Sequence, residues 1–198
     1  MNTLTAVPSF EQLPAPSISR GRVGMACLIV AESAIFIIFV VAYVFYTGKS
    51  ISGPLPRQVL ELPIAGTICL LSSSATITLA VRALRKDRKS LFGAWWATTI
   101  ALGASFLFCT AGEWRKLIQK EGLTISTNLF GTTFYSLVGL HATHVVAGLT
   151  ALGVVMIFAL KGKVNRLHTE RIEVLAIYWH FVDVVWVVVF CVVYLLAS

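Results

Sequence analysis

Six ionisable side chains lie within or at the ends of long apolar stretches, where water is not available to solvate a charge. Two pairs among them, one His-x-x-His and one His-x-x-Asp, have a spacing of three residues, which places each pair toward one side of a helix. Imidazole and carboxyl groups can bind metal or haem iron, relay protons, or pair with one another. The six residues are Glu32, Glu113, His141, His144, His180 and Asp183.

Three interpretations of these residues are open. His141 and His144 with a nearby carboxylate could form a metal or haem site, although a tight metal site needs three or four ligands and the helices need not adjoin. Glu32 and Asp183 could relay protons across a membrane. In the third and favoured interpretation, the groups pair with one another, with hydroxyls or with lipid head groups and lock the helices together. We therefore assign no catalytic residue and no metal ligand to this chain.

The composition indicates that these residues belong to a membrane protein. Hydrophobic residues make up 57% of the chain, charged residues 13%, and the mean hydropathy is +0.83. Soluble domains are about half apolar and about a quarter charged. The net charge of +7 would suggest a nucleic-acid partner in a soluble protein. Here the basic residues gather in short loops between apolar runs, so membrane orientation explains the charge better.

Five segments are long enough to cross a bilayer, which takes about 20 apolar residues. We predict an all-α membrane protein, a single bundle of five transmembrane helices over residues 23–198. The N-terminal tail, residues 1–22, carries three prolines and no leading basic region, so a cleaved signal peptide is not expected. The predicted spans are about 23–46, 62–84, 91–117, 128–160 and 171–196.

The distribution of Lys and Arg predicts the orientation of the bundle. Eleven basic residues fall on the side that holds the N-terminus and five on the other side, and the cluster RALRKDRK dominates this difference. Basic residues are enriched on the cytoplasmic side of membrane proteins, so we predict the N-terminus inside and the C-terminus outside. Glu32 then lies about 14 Å into the first span, near the middle of the membrane.

Two tryptophans of the fifth span, Trp179 and Trp186, are seven residues apart and face the same side of that helix. This spacing indicates packing rather than a cofactor site. We expect both of them, together with Arg82 and Lys161 at the inner ends of other spans, to contact lipid or a neighbouring subunit.

Four stretches resemble, in order and spacing, subunit III of the haem–copper terminal oxidases, the family that includes cytochrome c oxidase and ubiquinol oxidase subunit III. The most specific is the C-terminal block YWHFVDVVWVVVF, and the His-x-x-His helix GTTFYSLVGLHATHVVAG is the second. The others are LLSSSATITLAVRAL in the second span and GMACLIVAES, with Glu32, in the first. Glu113 falls where the family carries a glutamate at the end of the corresponding helix.

The resemblance implies a non-catalytic subunit of a proton-pumping oxidase in a bacterial inner membrane, in the short five-helix form. The family's subunit III holds no haem or copper, which are bound by partner subunits. It packs beside subunit I, binds phospholipid and supports proton uptake, and the complex can join a larger respiratory supercomplex. Glu32 resembles the family's buried, carbodiimide-reactive carboxylate. Two alternatives stay open, an accessory subunit of a nitric oxide reductase and a small self-contained membrane transporter or haem protein.

Overall fold

The computed structural model describes residues 19–50, 53–54 and 59–195, and all regular structure in these ranges is helical. Five helical segments are long and apolar enough to cross a membrane, which confirms the predicted all-α fold with five such helices. A 3₁₀ turn leads into the last helix and a π-helical turn continues it. The helices are α1 (Arg20–Tyr46), α2 (Ile64–Arg85), α3 (Lys89–Gln119), α4 (Leu129–Leu160) and α5 (Thr169–Phe190), with the 3₁₀ turn at Arg166–His168 and the π turn at Cys191–Leu195.

The helix ends extend past several of the predicted spans because charged residues continue the helices beyond the apolar runs. α1 begins at Arg20, so the last three residues of the predicted tail are helical, and residues 1–18 lie outside the described part. α3 continues to Gln119, beyond the predicted end at 117. α4 begins after Asn128, whose side-chain oxygen accepts a hydrogen bond from the backbone N–H of Gly131 at 2.8 Å and so caps the helix.

The arrangement of the helices is a ring of four with a fifth helix outside it. α2 and α3 form the most extensive contact, α4 packs on α3 and α5, and α5 closes the ring by packing on α2. α1 lies outside the ring against α4 and α5. Within α1 only Phe36 and Tyr43 are buried, so most of its apolar surface faces outward. An outward apolar surface is what a helix needs when it faces lipid or another membrane subunit.

Trp179 occupies the centre of the ring and is completely buried. Its indole fits between two glycines, since a Cβ added to Gly148 would lie 2.8 Å from the ring and a Cβ added to Gly103 would lie 2.9 Å from it. The indole N–H donates a hydrogen bond to the hydroxyl of Ser73 at 2.8 Å. Small residues at these positions therefore let the largest side chain of α5 enter the space between α3 and α4.

Trp186 lies two turns further along α5 and is 1% exposed. Its ring packs edge-on against Phe106, with centroids 4.7 Å apart, and its N–H donates to the Thr67 hydroxyl at 3.1 Å. The prediction that Trp179 and Trp186 contact lipid or a neighbouring subunit is therefore wrong. The seven-residue spacing places them on one side of α5 as expected, but this side faces the interior of the ring.

The Trp179 packing predicts opposite effects for two glycines of the same helix. Gly148→Ala should lower the free energy of unfolding by about 1–3 kcal/mol, because the new methyl group overlaps the indole. Gly153→Ala is the control: a Cβ there meets no atom within 4 Å, and the substitution should raise helix stability by about 0.5–1 kcal/mol. Denaturation of the purified chain in detergent, followed by tryptophan fluorescence, measures both effects. Equal shifts for the two variants would contradict this packing.

Candidate functional site

Glu32 and His144 form a hydrogen-bonded pair that joins α1 to α4. Glu32 Oε2 lies 3.0 Å from His144 Nε2, and the other ring nitrogen, Nδ1, lies 2.8 Å from the backbone carbonyl of Leu140. A carbonyl only accepts, so Nδ1 carries a hydrogen and the pair shares one further proton between Nε2 and the carboxyl. The side chains of His144 and Glu32 are 14% and 25% exposed. The pair can move a proton across one hydrogen bond while it stays neutral overall.

Ser74 of α2 connects His180 and Asp183 of α5. Its hydroxyl donates a hydrogen bond to Asp183 Oδ2 and lies 2.9 Å from His180 Nδ1. A hydroxyl has one hydrogen to give, so Ser74 accepts from Nδ1–H of His180 while it donates to Asp183. Thr78, one turn along α2, lies 3.4 Å from the other nitrogen of His180. The predicted pair of α5 residues is thus brought together through a serine, and the cluster fixes α5 against α2.

Other hydroxyls of the serine- and threonine-rich segment extend this contact to a third helix. The Thr76 hydroxyl lies 2.8 Å from the Thr99 hydroxyl of α3, and both are buried. Hydroxyl groups also donate hydrogen bonds to carbonyls of their own helix, as Ser73 does to the carbonyl oxygen of Leu70 at 2.6 Å. Such bonds satisfy the hydroxyl hydrogen in an apolar medium. Small polar side chains let helix backbones approach closely. The serine- and threonine-rich segment of α2 therefore packs against both α3 and α5.

Carboxyl groups also join helices near both ends of the bundle. At one end, the Tyr194 hydroxyl of the π turn donates to Glu113 Oε1 of α3 at 2.9 Å. At the other end, Glu173 of α5 lies 2.8 Å from both Arg22 of α1 and Arg85 of α2. Glu173 and Ser74 are not among the predicted site residues. The position of Glu173 at the same end of the bundle as the basic cluster could have predicted its ion pairs. For Ser74 the sequence gives no such signal, because nothing distinguishes it from its neighbours in the run of serines and threonines.

His141 differs from the other candidates because it has no polar partner. The ring is completely buried, and neither nitrogen forms a hydrogen bond with any part of the chain that the structure describes. It packs against Trp186, Phe106 and Phe36, with centroid distances of 5.0, 5.7 and 6.5 Å. The expectation that every buried ionisable group pairs with a polar neighbour is therefore wrong for this residue.

The structure does not bring His141 and His144 together as metal ligands. His141 faces the aromatic interior, whereas His144 faces Glu32 at the edge of the bundle. Over residues 19–50, 53–54 and 59–195, no group of three or more His, Cys, Asp and Glu residues could hold a metal ion. Arg82 and Lys161 are exposed at the end of the bundle where α1 begins, which keeps them available for the predicted lipid or interface contacts.

Comparison with known proteins agrees with the resemblance of the four stretches. Residues 13–198 match the family described as cytochrome c oxidase subunit III. The chain belongs to this family. Cytochrome c oxidase subunit 3 of Alkalihalophilus pseudofirmus is 35% identical over 83% of this chain and 81% of the relative. The Synechocystis protein of that name is 37% identical over 87% and 74%. Cytochrome bo(3) ubiquinol oxidase subunit 3 of Pseudomonas aeruginosa is 33% identical over 88% and 84%.

For this member of the subunit III family, the Glu32–His144 pair predicts a difference between two substitutions. Glu32→Ala should lower the free energy of unfolding by about 0.6–1.7 kcal/mol, from the average to the largest value for hydrogen bonds between membrane helices, because it leaves Nε2 of His144 unpaired. Glu32→Gln is the matched control, since its amide can donate to or accept from that nitrogen. Denaturation in detergent measures both variants. Equal losses in the two variants, or no loss in either, would show that the pair does not hold α1.

Proposed function

We propose that this chain is a non-catalytic subunit of a haem–copper oxidase, which reduces oxygen to water in aerobic respiration with cytochrome c or a quinol as electron donor. The observation that carries this proposal is the family match over residues 13–198. The relatives are named as subunits of both cytochrome c and quinol oxidases, which favours an oxidase over a nitric oxide reductase, a transporter or a self-contained haem protein. Haem and copper would be held by the partner subunits.

In this proposal the chain packs beside subunit I, stabilises that subunit and supports its proton uptake. The carboxyl groups of Glu32, Glu113 and Asp183 each form a hydrogen bond to another helix. These contacts support a structural role for the chain. The outward apolar surface of α1 supports contact with lipid or with another membrane subunit. A rigid neighbour with a fixed helix arrangement limits the motions of the subunit that it contacts.

We further propose a multi-pass position in a bacterial inner membrane with the N-terminus inside. The basic cluster between α2 and α3 lies at the same end as the start of α1 and supports this orientation. In this orientation Arg82 and Lys161 lie at the inner surface, where their charged ends can reach lipid phosphates or an adjacent subunit while their alkyl parts stay against the helices.

Purification of an affinity-tagged chain from host membranes tests the proposal. We expect mass spectrometry to find a haem-bearing subunit I at equal stoichiometry, and the preparation to consume oxygen. Oxidase from a strain that lacks this chain should start at a similar rate but lose activity after fewer turnovers. The proposal is wrong if the tagged chain purifies alone or with nitric oxide reductase subunits, or if removal of the chain changes neither assembly nor the lifetime of activity.

A further inference from the structure

The cluster of Asp183, Ser74 and His180 contains a buried oxygen atom that has no hydrogen bond. Asp183 is 3% exposed, and its Oδ2 bonds to the Ser74 hydroxyl. Its other oxygen, Oδ1, is buried and has no hydrogen-bond partner among the described residues. An ionised carboxyl group that is left partly unpaired in an apolar medium is costly. Asp183 therefore needs either a positive group in the same cluster or a proton of its own.

His180 is the group of this cluster that can carry a positive charge. α4 contains no Lys or Arg, and the basic residues of α1 and α2 lie in the first turn of α1 or the last turn of α2, at one end of the bundle. Glu32 and His144 pair with each other, and His141 packs among aromatic rings. The protonation of Asp183 is therefore tied to that of His180. The basic residues are Arg20, Arg22, Arg82 and Arg85.

Thr78 determines which nitrogen of His180 carries a hydrogen. The Thr78 hydroxyl donates its single hydrogen to the backbone carbonyl of Ser74 at 2.9 Å. It can then only accept from His180 Nε2, which lies 3.4 Å away, so Nε2 carries a hydrogen. When Ser74 also accepts from Nδ1–H, both nitrogens carry a hydrogen, so the ring is a cation and Asp183 is its counter-ion.

The same side chains fit a second arrangement of hydrogens. In this arrangement Asp183 is a neutral acid that donates from Oδ2 to Ser74 Oγ, and Ser74 donates to the bare Nδ1 of His180. The two arrangements differ by the position of one proton, and the cluster has no net charge in either. The second arrangement has no ionised group, so the apolar surroundings and the unpaired Oδ1 favour it.

We propose that Asp183 holds a proton at rest and exchanges it with His180 through the Ser74 hydroxyl, so that the cluster is a proton-transfer site. The Asp183 Oδ2–H bond breaks as its proton joins Ser74 Oγ, and the hydrogen of Ser74 passes to His180 Nδ1. The products are a carboxylate and an imidazolium, and no electron is transferred.

The position of the cluster gives this transfer a direction. Asp183 lies in the interior, whereas His180 is only partly buried and lies between the exposed Ile177 and Val184 on the outward side of α5. The proton of a buried acid thus reaches the surface of the bundle through one serine. The inference goes beyond the proposed function, because it concerns residues of this chain alone.

Infrared spectroscopy of the purified full-length chain, with isotope-labelled aspartate, tests the resting form. The chain has two aspartates, and the other one, Asp87, is exposed. At neutral pH we expect one isotope-shifted band of a protonated carboxyl group. Asp183→Asn should remove this band, and Asp87→Asn should leave it unchanged. Absence of the band from the wild-type chain would overturn the proposal.

The exchange of this band in heavy water tests the path. It should be about a hundredfold slower in Ser74→Ala than in the wild-type chain, because a positioned proton-transfer group typically accelerates transfer by about that factor or more. Ser74→Thr retains the hydroxyl and should exchange at nearly the wild-type rate. Ser72→Ala is the matched control, since Ser72 lies in the same segment but is exposed and forms no hydrogen bond with the described residues. Equal exchange rates in Ser74→Ala and Ser72→Ala would refute the path.

Nitrogen NMR of the histidine side chains gives a second measurement on the wild-type chain, which needs no variant at Ser74. His180, assigned by loss of its signal in His180→Gln, should be a neutral ring with its hydrogen on Nε2. A cationic ring at neutral pH would contradict the resting form. These measurements use the chain alone, so their outcome is separate from whether the tagged chain purifies with an oxidase.

Discussion

The hydrogen bonds between α5 and α2 fix the rest of the arrangement. Helices in a membrane gain no net hydrophobic energy by leaving lipid for one another, so close packing and directional bonds decide how they associate. Ser74 bonds to both His180 and Asp183 of α5, and Ser73 and Thr67 each accept from an indole of that helix. A rotation of α5 by one residue, about 100°, would break all these bonds together. They therefore fix which side of α5 enters the ring.

Once α5 is fixed, its other side chains reach their contacts along the length of the bundle. Trp179 enters the gap between the two glycines, and Tyr194 reaches Glu113 at the end of α3. α1, which contributes little to the buried core, is held by Glu32 at mid-helix and Arg22 at its start. Buried ionisable groups of this chain are thus mostly engaged in holding helices together. This use of polar groups suits a subunit that supports a catalytic neighbour.

The sequence predicted the features that depend on one helix and missed those that depend on two. The number of helices follows from the length of apolar runs, and the common side of His180 and Asp183 follows from their spacing. Their contact with Ser74 depends on how α2 and α5 are aligned, which no pattern within either helix encodes. The tryptophans show the same limit: a helix that is apolar all round does not reveal which side is the inside. His141 and His144 differ by about 60° around α4, enough for one to face the core and the other its edge.

A double-mutant cycle on Ser74 and Asp183 tests most directly whether α5 is held by specific bonds to α2. The free energies of unfolding of Ser74→Ala, Asp183→Ala and the double variant would be measured in detergent. We expect a coupling energy of about 0.6–1.7 kcal/mol, from the average to the largest value for interhelical hydrogen bonds in membranes. The double variant should be less destabilised than the sum of the single ones. Additive losses would show that the two side chains act independently and would contradict the account.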